Sequence, residues 1–367
     1  MSRSRRRRRA IRRRRAVAAA VLLAAAAGLW LVVAGGGGGA AAPARAHSRS
    51  GAEASRPPTA RADIEAALGR GVRRSAALGG SVEAAAMLGP WSEPAVAASE
   101  PDGVEREMRM WSMSKVVTLV TLLRERGWGD EPGEPLSAEV RSALLAAITR
   151  SENCPQRRIV LELQQAAGSP EAARAAVAET LRRAGAGVEV SSEVEGPDPS
   201  CIAYLEGEHG IADPLAPALL LGTSTWRVGD AVRFAHALRA GVYGKAIRDY
   251  ALTLMRAPKE RSREVAPSEF TAPLDWGAGR AFAGLDPAYK AGWGGTQQGE
   301  FMAGQIALVD LPRGGWAAVA VMFHPSSQPP VDDPGLTVAP RGLELTMGSL
   351  AAALGADRTA PRSARRG

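Results

Sequence analysis

The runs that read as strands fall near the two ends of residues 63–355, with helices between them, so any sheet built from them must join distant parts of the chain. Short strand-like segments at 81–88 and 95–98 are parted by Gly89-Pro90; three more, at 289–293, 302–311 and 316–323, come only after a long helical stretch. The last two are separated by Pro312-Arg313-Gly314-Gly315, a hairpin turn. Between the two groups, helices are expected at 63–75, from Ser112 to near Gly127, and over 138–149, where Val140, Leu144 and Ile148 recur at four-residue spacing. Two more follow Asn153-Cys154 and Ser169, with Pro155 and Pro170 in their first turns and Gly168 and Gly185 as stops. Residues 186–221 show no clear period. A helix is expected over 226–240 behind a Thr223-Ser224-Thr225 cap, and a last one over 343–354. This order is α+β, and it brings the start of the Ser112 helix close to the final strands.

Charge excludes less than it first suggests. The net charge of +8 comes from the N-terminus, because Arg3, Arg5 to Arg9 and Arg12 to Arg15 are ten of the 46 Lys+Arg. Without them the 38 acidic residues slightly outnumber the basic ones, and basic and aromatic residues are not interleaved, so no nucleic-acid partner is expected. After this cytoplasmic Arg-rich segment (1–15) comes an uncharged apolar run over 16–34, long enough to cross a bilayer as a helix. The positive-inside rule would leave the N-terminus in the cytoplasm and export the rest. The run reads either as a retained transmembrane anchor or as a signal segment cleaved after Ala44-Arg45-Ala46. Residues 35–62 read as a flexible linker, 63–355 as the folded domain and 356–367 as a disordered tail. The product would be membrane-anchored or secreted, extracytoplasmic and monomeric. In an oxidising compartment Cys154 and Cys201, the only two cysteines, read as a disulfide, with two free buried thiols as the alternative.

Ser112 and Lys115 open a strongly apolar stretch, Trp111-Ser112-Met113-Ser114-Lys115-Val116-Val117-Thr118-Leu119. A hydroxyl and an amine three positions apart share a helix face, and a lysine desolvated by an apolar wall can take a serine proton. Two further short motifs follow: Ser151-Glu152-Asn153, on a loop between helices, and Lys290-Ala291-Gly292, which begins the late strands. The order of the three, each in its structural setting, resembles the penicillin-recognising serine acyl-transferases, especially the class A β-lactamases and the related D-Ala-D-Ala peptidases.

The resemblance covers about residues 63–355. It implies an antiparallel five-stranded sheet flanked by helices, plus an all-helical lobe. It implies Ser112 as the acylated nucleophile, Lys115 as its base and Ser151 as a proton relay toward the leaving nitrogen. Asn153 and Lys290 would bind substrate, Lys290 supplying positive charge to its carboxylate. Gly292 and Trp293 would complete the substrate-binding set, with the backbone N–H groups of Ser112 and Trp293 as the oxyanion hole. No cofactor and no metal are required; His47, His209, His236 and His324 lack ligand spacing.

The departures set the alternatives. Ala291 stands where the family carries Thr or Ser, and Glu152 where Asp is common, at a position expected to point away from the site. The family's deacylation motif, Glu-x-x-Leu-Asn, is absent from residues 188–200, which hold Glu189, Glu193 and Glu195. Glu195 aligns best as the deacylation base, against a reading of these acids as a solvated loop face. The expected activity is hydrolysis of β-lactams through an acyl-serine. A peptidoglycan D,D-carboxypeptidase or transpeptidase acting on stem peptides is the first alternative. An inactive cell-envelope binding protein is the second.

Overall fold

The computed structural model describes residues 61–90, 94–101, 103, 106–196, 199–206, 215–260, 276–295, 301–312, 314–326 and 335–356. The expectations for residues 1–60 and 357–367 lie outside them. Among the described residues no helix is long and apolar enough to cross a membrane.

Helix α1 (Arg61–Ala76) leads into strands β1 (Gly80–Gly89), β2 (Val96–Glu100) and β3 (Met108–Arg109). A 3-10 turn, Trp111–Met113, then opens α2 (Ser114–Glu125), followed by α3 (Ala138–Thr149), α4 (Asn153–Ala167) and α5 (Pro170–Arg183). Next come β4 (Val194–Glu195), α6 (Pro199–Glu206), β5 (Ala218–Leu219) and, after the 3-10 turn Leu221–Thr223, β6 (Thr225–Trp226). Helices α7 (Val228–Ala240), α8 (Lys245–Arg256) and α9 (Ala278–Ala281) precede β7 (Ala288–Gly295), β8 (Phe301–Asp310) and β9 (Trp316–Pro325), and α10 (Gly335–Ala353) closes the fold.

The five long strands form one antiparallel sheet in the order β2-β1-β9-β8-β7. The first strand lies beside the last along its whole length, from Gly80 opposite Pro325 to Gly89 opposite Trp316, as a sheet assembled from both ends of the chain requires. Both faces are covered, which is why β9 is buried nearly throughout and shows no apolar/polar alternation. Its alternation is one of partners. Ala317, Val319, Val321 and Phe323 meet Leu68 and Val72 of α1 and Leu343 and Met347 of α10; Trp316, Ala318, Ala320 and Met322 belong to the core shared with the helical lobe. Helices α1 and α10 approach closely at Gly71, where a Cβ would come within 2.9 Å of Thr346 Cα.

Helix α2 is the axis of the helical lobe. All ten residues from Ser114 to Leu123 are buried, and α3, α4, α5 and α8 pack around it. Each buried Val or Leu contributes roughly 1.5–3 kcal/mol, so this helix is held by burial on every side rather than by one apolar stripe. Its buried threonines are satisfied internally: Thr118 donates to Ser114 O at 2.9 Å and Thr121 to Val117 O at 2.8 Å.

Several local expectations are corrected. Ser112 lies in a 3-10 turn ahead of the α-helix, because Trp111 adopts φ 44° and breaks the regular ladder. The helix expected from 226 begins at Val228. Its cap is not the Thr223-Ser224-Thr225 run but Asp230, whose carboxylate accepts from Arg227 N at 3.3 Å and Gly187 N at 3.0 Å. Helices α6 and α8 were not anticipated, although Ile247, Ala251 and Leu254 place an apolar stripe on α8. Helix α10 begins at Gly335 and carries Pro340 inside it.

The Cys154–Cys201 disulfide is present and ties the first turn of α4 to α6. The chain-entropy model assigns closure of a loop with this 47-residue separation about 3–4 kcal/mol. A Cys154→Ser/Cys201→Ser double variant should lose about that much stability in urea unfolding, relative to the oxidised wild type. At the opposite wall, a Cβ on Gly292 would stand 2.8 Å from Met110 O, 2.9 Å from Met113 N and 3.0 Å from Ser112 N. Gly292→Ala should therefore cost ~1–3 kcal/mol by thermal unfolding, through overpacking against backbone that cannot yield.

Candidate active site

Strand β7 places its residues alternately on two faces. Tyr289 and Ala291 are buried with Trp276 and Phe282 in the layer beneath α1 and α10, and Trp293 packs against that layer. Lys290, Gly292 and Gly294 face the 3-10 turn that carries Ser112. The two glycines let the strand lie directly against that turn, with Gly294 under the indole of Trp111, where a Cβ would come within 2.8 Å of the ring. Ser112 is partly exposed at the mouth of a cavity of about 660 Å³, ahead of the positive end of α2.

Lys115 sits one turn further along, 3% exposed. Its Nζ donates to the carbonyl of Ser151, to Glu152 O at 3.0 Å and to Asn153 Oδ1 at 2.9 Å. Three acceptors match the three N–H bonds of an ammonium group. The Ser151-Glu152-Asn153 loop is thereby drawn onto the start of α2. Ser151 has φ 60°, a left-handed conformation uncommon for a residue with a β-carbon, and its Oγ accepts from Lys290 Nζ at 2.8 Å. Lys290, 2% exposed, also donates to Ala291 O at 2.9 Å. Ala291 thus offers the site its carbonyl, while its methyl group faces the packed layer.

Burial is the main reason that the Lys290 amine is held well below the usual lysine value; the charges of Lys115 and Lys259 add to it. Lys259 is itself drawn down to about 7 by desolvation; its Nζ lies 4.7 Å from the Tyr289 ring centroid and donates to Met255 O at 2.8 Å. Burial thus disfavours the cationic form of Lys290 relative to an exposed lysine, and an anion placed beside it would favour that form.

Glu195 borders the same cavity from β4. Its side chain is 46% exposed, and its Oε2 lies 3.6 Å from Nη1 of Arg157, a side chain only 3% exposed. Arg157 also donates to Ala216 O at 2.7 Å. The Cys154–Cys201 bridge lies in the cavity wall beside Asn153.

Ser112, Lys115, Ser151, Asn153, Glu195 and Trp293 therefore line one cavity, Lys290 bonds to the hydroxyl of Ser151, and Gly292 supports the turn. Glu152 points away from Lys115: its carboxylate pairs with Arg150. Thr223 borders the cavity and donates to Ser191 Oγ at 2.9 Å, while Thr225 donates to Glu107 at 3.2 Å. Trp111, Arg150 and Arg157 line the cavity without having been foreseen. Arg157 was within reach of the sequence, four positions after Asn153 on the same helical face. Arg150 carried no such signal. Among the described residues no group of three or more His, Cys, Asp or Glu could hold a metal ion. His324 is buried, its pKa drawn down to about 4 chiefly by desolvation and also by Arg106, and His236 packs against Trp316. His47 and His209 lie outside the described residues.

No family model matches the sequence, and no curated protein does. Solved structures do resemble it. TLA-3 extended-spectrum β-lactamase aligns with a TM-score of 0.50 at 14% identity, over 78% of this chain and 99% of its own. A class A β-lactamase from Bacteroides cellulosilyticus DSM 14838 gives 0.49 at 12% identity, over 79% and 99%. PBP-A, as an acyl-enzyme complex with penicillin G, gives 0.46 at 15%, over 81% and 99%. At 14% identity the likeness to TLA-3 is one of fold alone. The chain has the fold of the β-lactamase/transpeptidase superfamily.

Proposed function

We propose that this protein is an exported serine hydrolase of β-lactamase type, which opens β-lactams through an acyl-serine at Ser112. The observation that carries the reading is the meeting of three remote stretches: Lys115 bonded to Asn153 and the loop carbonyls, and Lys290 2.8 Å from Ser151 Oγ. In this reading Ser112 Oγ attacks the lactam carbonyl carbon while Lys115, acting as the free amine, takes its proton, which is then passed to Ser151. The C–N bond then breaks as Ser151 delivers a proton to the departing nitrogen. Backbone N–H groups of Ser112 and Trp293 receive the oxyanion, at the positive end of α2. Water completes the cycle by hydrolysing the ester, with Glu195 as its base. The disulfide fits an extracytoplasmic setting.

One observation favours a second reading. Glu195 is half exposed and has Arg157 beside one of its oxygens, so water activation competes with an ion pair already in place. If that competition is lost, the acyl-enzyme persists and the protein behaves as a penicillin-binding D,D-peptidase.

Incubation with a fluorescent penicillin, followed by mass spectrometry, separates the readings. Rapid turnover, abolished by Ser112→Ala, is expected for the hydrolase; a stable adduct on Ser112 would favour the peptidase. No adduct and no turnover with penicillins, esters or fluorophosphonates would leave an inactive binding protein.

Lys290 generates a second prediction. A penicillin carboxylate arriving beside a depressed amine raises its pKa. Between the free and bound values, binding must therefore take up protons, and uptake should vanish once the pH exceeds the bound value. Titration calorimetry of Ser112→Ala with benzylpenicillin, in buffers of different ionisation enthalpy and over a series of pH values below the usual lysine range, should show this uptake at some pH in the series. Adding Lys290→Met should abolish it, and zero uptake in Ser112→Ala would remove Lys290 from contact with the carboxylate.

A further inference from the structure

The middle residue of the second motif was the least informative position in the sequence, yet the structure gives it a defined partner. Arg150 and Glu152 stand on either side of Ser151 and meet across it. Arg150 Nε lies 2.7 Å from Glu152 Oε1, and Arg150 Nη2 lies 3.0 Å from Oε2. This is a fork-on-fork arrangement, which fixes geometry as well as adding attraction. The two side chains are 16% and 6% exposed, so solvent screens them far less than an ordinary surface pair. The guanidinium also lies 3.4 Å from Glu260, whose own N–H donates to Thr149 O at 3.3 Å, so the segment after α8 braces the same loop.

The residue between them has the one backbone conformation on this loop that requires support. Ser151 is neither Gly, Asn nor Asp, the residues that enter the left-handed region most readily, yet its φ is 60°. From the inner side, Lys115 holds the carbonyls of Ser151 and Glu152; from the outer side, the ion pair joins the two flanking residues. The Arg150–Glu152 ion pair thus spans the residue that takes the left-handed conformation.

We infer that Arg150 and Glu152 are a positioning pair, a clasp that holds Ser151 in its left-handed conformation and so keeps its hydroxyl on Lys290 and over the cavity. Arg150 also lines the cavity, but the role inferred for the pair is one of positioning. Their contribution is to the relay, since a hydroxyl on a loop free to relax to negative φ would leave the 2.8 Å contact with Lys290. The competing explanation is that the pair only strengthens the end of α3, where Arg150 N donates to Ala146 O. The two differ in what they expect of chemistry per folded molecule.

The inference rests on the acyl-serine reading for its kinetic consequence but not for its conformational one, and the experiment measures both. Arg150→Met, Glu152→Ala and the exchanged pair Arg150→Glu/Glu152→Arg are compared with wild type, with unfolding curves to normalise for folded protein. In the single variants the acylation rate constant for benzylpenicillin should fall roughly 10- to 100-fold with reversible binding little changed, as a misplaced catalytic group predicts. Amide hydrogen exchange over 150–153 should rise while α2 stays protected, and the exchanged pair should recover much of the rate. Single variants that are less stable, yet acylate at the wild-type rate per folded molecule, would overturn the clasp. So would unchanged exchange over 150–153. Wild-type protein that takes up no penicillin would sink the acyl-serine reading instead, and the exchange measurement would then decide the clasp alone.

Discussion

The site depends on how closely strand β7 can approach the turn that carries Ser112. A backbone-to-backbone approach is available only where no β-carbon intervenes, and Gly292 and Gly294 supply it under Met110–Met113 and the Trp111 ring. That contact sets the height of Ser112 above the edge of the sheet. It also directs Lys290, on the same row of the strand, toward the loop between α3 and α4.

Two lysines in one buried site would ordinarily be unfavourable, since each ammonium loses solvation and repels the other. The structure divides the burden unequally. Lys115 receives carbonyl and amide oxygens, which suit a cation; Lys290 receives one hydroxyl and one carbonyl, and burial pushes it toward the neutral amine. Ser151 joins the two, its carbonyl accepting from Lys115 and its hydroxyl, which can either donate or accept, from Lys290. The left-handed turn at Ser151 and the φ of 44° at Trp111 are the local strains that this arrangement requires, and both residues line the candidate site.

Much of the architecture was legible because its signals are local. Helix α3 follows from Val140, Leu144 and Ile148, α5 from Ser169 and Pro170, and the last hairpin from Pro312 to Gly315, where Gly314 and Gly315 take positive φ. Where the reading failed, the deciding group lay elsewhere in the chain. Asp230, rather than the threonines, satisfies the entrance to α7, and the same carboxylate accepts from Gly187 of another loop. The 3-10 turn at Ser112 could not be read from the apolar run that follows, because packing against Gly292 and Gly222 holds the chain there. Glu195 was within reach of alignment, but its pairing with Arg157 was not.

By itself the sequence determined which residues are chemically capable and in what order they occur: two serines, two lysines and an asparagine in three short motifs, two cysteines, and strands at both ends of an otherwise helical chain. These are matters of residue type and short-range period, which survive without coordinates. Tertiary structure alone decided which amine meets which hydroxyl, that Lys290 is disfavoured as a cation, and that Glu152 turns to Arg150 rather than to Lys115. The physical reason is that desolvation and Coulomb interaction depend on distance and exclusion of water, neither of which follows from separation along the chain.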